Sequence, residues 1–219
     1  MEIRGYRRRE KGNTLLEFAL IAPALVLILL GVVSVGYMLS RSIQVAQVTR
    51  DAAHMFFDGI DFSVVGNQNV VGRLGSGMGW TLASPDANGS TIDANGNGVV
   101  IFTKILMVGD NECTAGGHPR ATTTCPNFGQ LVIEQRIAIG NVTLRASNFG
   151  SPTQSLLQND GSIQPQDYVT DSSVLVPTGT PPNNLNLAAG QFTYGVEAYF
   201  LMPSLARMMA NNTYSYILM

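Results

Sequence analysis

Apolar and polar positions follow three regimes along this chain. From Leu15 to Leu39 almost every residue is apolar, and Glu17 is the only charged one. A helix that crosses a bilayer takes roughly 20 such residues, so this run is long enough. From Arg41 to Phe57 the pattern becomes periodic. Val45, Val48, Ala52, Met55 and Phe56 recur at three- and four-residue steps, while Gln44, Gln47, Arg50, Asp51 and His54 fall largely elsewhere. That spacing predicts an amphipathic helix. No Gly or Pro separates the two regimes, so they read as one helix, 13–57, with its membrane-spanning half at about 15–39. Such a rod would be about 65 Å long, roughly twice the hydrocarbon thickness of a bilayer. Pro23 lies inside the apolar half, removes one helical hydrogen bond and predicts a local kink.

Beyond Phe57 the period shortens. Val99–Val108, Gln130–Ile139 and Phe192–Met202 are rich in β-branched and aromatic residues and bounded by Gly, Asn or Pro, which predicts strands. Tyr214–Met219 reads as a last short strand, and Ser204–Ala210 as a short helix before it. Lys104, Glu134, Gln135, Arg136 and Glu197 interrupt the apolar pattern, as in a sheet with one wet and one buried face. Phe62–Ala83 is spotted with glycine and gives no clear period. Residues 150–191 hold many Pro, Ser, Thr, Asn and Gln, including Gly179-Thr180-Pro181-Pro182, and read as a surface excursion with one helical turn near Gln154–Gln158. The predicted fold class is α+β: a long N-terminal helix packed on an antiparallel sheet, with residues 58–219 forming one β-rich domain.

Charge sets the orientation. Residues 1–12 carry five basic and two acidic side chains, so the positive-inside rule keeps this end in the cytoplasm and sends the domain across the membrane. A cleaved secretory signal is the competing reading, but its apolar region is normally about 7–15 residues. Its best cleavage candidate here is Ser34-Val35-Gly36. An ionised Glu costs on the order of 2.5–3.5 kcal/mol at the centre of a membrane helix and less near an edge. Glu17 therefore calls for a partner that neutralises it.

The stretch Arg7-Arg8-Arg9-Glu10-Lys11-Gly12, then Asn13-Thr14-Leu15-Leu16-Glu17-Phe18 and an apolar helix, resembles the class III signal of type IV pilins and pseudopilins. More narrowly, Glu17-Phe18-Ala19-Leu20-Ile21-Ala22-Pro23 is similar to the start of TadE-like proteins, minor pseudopilins of tight-adherence (Flp) pili. The resemblance covers the first quarter of the chain. It implies a pilin-like layout and a cytoplasmic leader, 1–12, that a prepilin peptidase removes between Gly12 and Asn13. Glu17 would then be the fifth residue of the mature chain and face the free amine of a neighbouring subunit. Asn13 stands where many conventional type IV pilins have Phe or Met. The implied partners are the peptidase, other pilins and pseudopilins, and the assembly platform in the bacterial inner membrane. A minor pseudopilin of a type II secretion system shares the helix. A single-pass envelope protein with a periplasmic ligand-binding domain is the alternative from another class.

Composition narrows the chemistry. The formal net charge is −2, and the chain without its basic head is more acidic and lacks a basic cluster, which sets nucleic-acid binding aside. Cys113 and Cys125 are the only cysteines, and export makes a disulfide between them the natural reading. A metal site from Cys113, His118 and Cys125 lacks a fourth ligand. Asp93–Gly98 resembles the opening of a calcium loop, but its twelfth position is Lys104 instead of Glu, so a tight turn is the plainer reading. No nucleophile-elbow, zincin or phosphate-loop pattern occurs, so no enzyme or cofactor is expected. Asn88, Asn141 and Asn211 head glycosylation sequons, a common pattern.

Overall fold

The structure is a computed structural model that describes residues 10–82, 96–177, 185–201 and 212–219, with side chains from Leu15 onward. The predicted Ser204–Ala210 helix, the Gly179–Pro182 stretch, the opening Asp93–Asn95 of the candidate calcium loop, Asn88, Asn211 and residues 1–9 of the basic head lie outside the described residues.

One helix, α1, runs from Glu10 to Phe57 over 48 residues and continues through Pro23. At 1.5 Å per residue it is about 70 Å long. Its C-terminal half buries one stripe, namely Val45, Val48, Thr49, Ala52, Ala53 and Phe56, with Met55 half-buried. Arg50, Asp51 and His54 stay exposed, as the period requires. A second helix, α2 (Val65–Ser76), occupies the glycine-spotted stretch that gave no period. Val71 and Leu74 pack it into the same core, and the Gln68 side chain donates to the Phe62 carbonyl at 2.8 Å. Tertiary packing outweighs the low helix propensity of its glycines.

The sheet has four antiparallel strands: β1 (Gly98–Met107), β2 (Leu131–Gly140), β3 (Phe192–Phe200) and β4 (Thr213–Leu218), in the spatial order β2-β1-β3-β4. Each lies within two residues of its predicted bounds. The central strand β1 is buried nearly throughout. Val100 and Phe102 face α1 and α2 together with Ile137, Ile139, Val196, Ala198 and Phe200. Fully burying side chains of this size stabilises by about 1.5–3 kcal/mol each, so this layer joins helix and sheet into one unit. The architecture is thus an α+β layout of the pilin kind: a long apolar N-terminal helix followed by an antiparallel sheet.

The opposite face differs from the expected wet surface. Glu197 is only 3% exposed and Arg136 is also buried. Residues 141–177, with the short helices α3 (Asp110–Ala115) and α4 (Pro165–Tyr168), fold back onto this face. Phe149 rests on β3 at Gly195, where any side chain would collide with its ring. The excursion after residue 150 therefore lies against the sheet up to Val176 instead of standing clear of it. Its backbone also closes the outer edge of β2: Arg136 N donates to Gly161 O at 2.8 Å, Ile163 N to Glu134 O at 2.8 Å and Val176 N to Leu131 O at 2.9 Å. A register shift between Lys104 and Ile105 leaves the Glu134 backbone with no residue opposite it on β1. A bulge of this kind twists the strand locally.

Candidate functional site

The exposed apolar part of α1 is the obvious place for function. Every large apolar side chain from Leu15 to Leu30 that faces outward is more than half exposed, with Leu20 at 76%. This is the one helix among the described residues that is long and apolar enough to cross a membrane. Glu17 is exposed on this segment, two turns after Glu10 begins the helix. The backbone of Gly12 and Asn13 lies within α1. Asn13 and Glu17 are four positions apart, hence on one face of the helix.

The apolar segment ends at a bracket that binds it to the domain. Arg41 donates from Nε to the Tyr37 hydroxyl at 3.1 Å, and from Nη1 to Gln44 Oε1 at 3.2 Å and to the Met78 carbonyl. Its guanidinium also lies over the Tyr37 ring at 5.1 Å and the Trp80 ring at 5.7 Å. Trp80 is buried and stacks on Phe200 with centroids 4.1 Å apart. Helix, connecting segment and sheet thus meet at one point where the apolar run stops. Tyr37 and Arg41 carried a sequence signal, being i and i+4 on a helix. Their link to Trp80 carried none.

On the covered face of the sheet Glu197 is held by three groups. Its carboxylate accepts from Ser147 Oγ, from the Asn148 amide at 2.9 Å and from the Tyr214 hydroxyl at 2.7 Å. The Arg136 guanidinium nearby supplies opposite charge, and burial still pulls its pKa down from the ordinary arginine value to about 10. Burial, then the Glu197 charge and hydrogen bond, push the Tyr214 hydroxyl far up. Arg145 lies 3.9 Å over the Tyr214 ring. Ser147, Asn148 and Tyr214 are all bound to Glu197, whereas Arg136 Nε and Arg145 Nε are buried without a hydrogen-bond partner; the cluster joins β2, β3, β4 and the 145–150 loop.

The Cys113 and Cys125 sulfurs are bonded, with Cα atoms 5.8 Å apart. Two residues on, buried Asn127 donates through Nδ2 to Tyr168 O at 2.9 Å and Asp171 O at 2.8 Å. The disulfide loop thereby holds the excursion. No three His, Cys, Asp or Glu side chains among the described residues come together as metal ligands. Lys104, at the last position of the candidate calcium loop, pairs with Glu134 at 3.0 Å. Asn141 is buried, and its amide donates to Gly96 O at 3.1 Å, so this sequon presents no free side chain for a glycan.

Residues 12–54 match the family model described as TadE-like protein. The match spans about a fifth of the chain, including Gly12, Asn13, Glu17 and Pro23, and ends inside the packed half of α1. It agrees with the resemblance read from the leader and first apolar residues. No curated protein and no solved structure matches the chain.

Proposed function

We propose that this chain is a minor pseudopilin, a structural component that starts, caps or modifies a tight-adherence (Flp, type IVc) pilus. The observation that carries the reading is the build of α1. A long exposed apolar segment with a single carboxylate near its start continues without interruption into a half locked onto a sheet. A soluble fold has no use for such a segment, while a subunit that waits in the bacterial inner membrane and then packs beside its neighbours does. The head stays in the cytoplasm and the domain is exported.

In this reading a prepilin peptidase cuts between Gly12 and Asn13. The cut creates an α-amine at Asn13, whose ordinary pKa of about 7.7–8.0 leaves it mostly protonated at neutral pH. Two opposite charges a few ångströms apart attract strongly where the dielectric is low, while each alone is costly. Glu17 of one subunit facing the Asn13 amine of the next would fix the axial step between them as they leave the membrane. The role is structural, with other pilins, pseudopilins and the inner-membrane assembly platform as partners.

The test is N-terminal sequencing of the membrane-fraction protein from cells with and without a prepilin peptidase. A start at Asn13 only where the peptidase is present supports the reading; an intact Met1, or a start near Tyr37, defeats it. Glu17→Ala should leave cleavage and folding intact and abolish incorporation into fibres. Normal incorporation would remove Glu17 from its assigned role.

A further inference from the structure

The Cys113–Cys125 bond lies under the excursion that it helps to hold. Cys113 is wholly buried and Cys125 is only 7% exposed. Both cysteines belong to one apolar cluster with Ile163, Tyr168, Val169 and Val174. α4 sits directly on α3: Gly116, which caps α3, has no room for a side chain because a Val169 methyl and the Pro165 carbonyl occupy that place. Two residues after Cys125, the Asn127 amide donates to Val169 O at 3.0 Å, beside the two bonds from its side chain to Tyr168 O and Asp171 O. α3 has six residues and α4 has four. Helices this short do not persist in water by themselves, so tertiary contacts such as these hold both. Thiol–disulfide exchange, in either direction, needs an outside sulfur in contact with one sulfur of the pair. With α4 in place the cover leaves such an attacker almost no access.

We propose that the segment Ile163–Val174, with α4 at its centre, is a latch over this bond, and that the bond is both made and broken only while the segment is lifted. The oxidant is a disulfide, either a small one or that of a thiol oxidoreductase. One cysteine thiolate attacks it and forms a mixed disulfide. The second cysteine then displaces the remaining sulfur, and the oxidant leaves as two thiols carrying the two electrons and two protons of the pair. Docking of the segment afterwards seals the bond. The coupling is reciprocal, as linkage requires. The bond favours the docked segment through Asn127, and the docked segment preserves the bond. A bond that merely shortened a surface loop would exchange at the same rate whether α4 were docked or not. The inference rests on burial inside the domain and is independent of the fibre role.

Reduction kinetics on the full, oxidised chain in detergent test the proposal, with dithiothreitol as the probe and trapping of the freed thiols as the readout. At one dithiothreitol concentration, reduction should be on the order of 100-fold slower than in the same chain unfolded in urea. Its rate should follow amide exchange at Val169, whose N–H bonds to Pro165 O, and not exchange at Phe102 in the central strand. Asn127→Ala removes two bonds that hold the segment and touches neither cysteine. It should speed reduction ~10-fold or more, by the same factor as exchange at Tyr168, Val169 and Asp171, while Phe102 and Val196 stay slow. If Phe102 and Val196 become fast in that variant, the fold is lost and Val169→Ala takes its place with the same expectation. Reduction of the folded chain as fast as in urea would overturn the proposal. So would a rate that follows Phe102, which makes global unfolding the route, or an unchanged rate in a variant whose Val169 exchange has risen. Each of these outcomes leaves the cleavage result at Asn13 unaffected.

Discussion

The guanidinium of Arg41 lies 5.7 Å over the indole of Trp80, at the level where the apolar run of α1 stops. This contact, with the Arg41 hydrogen bond to the Met78 carbonyl, seats the domain against the helix. Trp80 in turn stacks on Phe200 at the end of β3, so the contact links the end of the apolar run to the sheet.

Arg41→Ala should lower stability by about 1–2 kcal/mol, the combined scale of one cation–π contact and a hydrogen bond. Trp80 fluorescence should shift to the red and amide exchange of Met78–Leu82 should accelerate. Arg41→Lys should recover little, because an ammonium cannot reproduce the planar fork that serves Tyr37, Gln44 and Met78 together.

Glu197→Ala should be among the most damaging single changes. It leaves buried Arg136 uncompensated and strands the donors on Ser147, Asn148 and Tyr214. Leaving a buried donor unsatisfied costs about 1–3 kcal/mol, and three lose their acceptor here. Thermal unfolding should show this as a fall in Tm, while Glu197→Gln, which keeps an acceptor oxygen, should fall less.

Reduction of the Cys113–Cys125 bond, or Cys113→Ser with Cys125→Ser, should cost about 2–4 kcal/mol. The loss should spread beyond the loop. Exchange at Tyr168–Asp171 should rise, because Asn127 holds those carbonyls from a position two residues after Cys125. Unchanged exchange there would show that the loop and the excursion are independent.

Alkaline titration should find two late tyrosines. Burial, with the charges of Glu134 and Glu112, pushes the Tyr168 hydroxyl up to about 12, and Tyr214 is raised further by burial and Glu197. An unfolded tyrosine ionises near 10. Above about pH 10 the unfolded chain thus releases protons that the fold retains, and these two groups lower stability as pH rises. Arg136 works in the opposite direction, since its folded value near 10 lies below that of an unfolded arginine. Phenolate absorbance should show the last-ionising groups disappear in Tyr168→Phe and Tyr214→Phe.

Much of the fold was legible in the chain because its signals are local. Val45, Val48, Ala52 and Phe56 announce their burial by spacing alone, and all four strands show as β-branched and aromatic runs. α2 was illegible, because its glycines hide the period and Val71 and Leu74 hold it only through tertiary contacts. The predicted wet face was misread for a related reason. Arg136 and Glu197 look like solvent-facing positions until Ser147, Asn148 and Tyr214, which lie far off in sequence, surround them.

The amino-acid order by itself determined the long helix, its membrane-length apolar half, the position of Glu17 and the antiparallel strands, since each follows from the nature and period of neighbouring residues. Only the tertiary structure decided that the outer edge of β2 is closed, where Arg41 meets Trp80, and that both faces of the sheet are covered. Those outcomes depend on chain segments that meet from distant positions, and no local pattern encodes such a meeting.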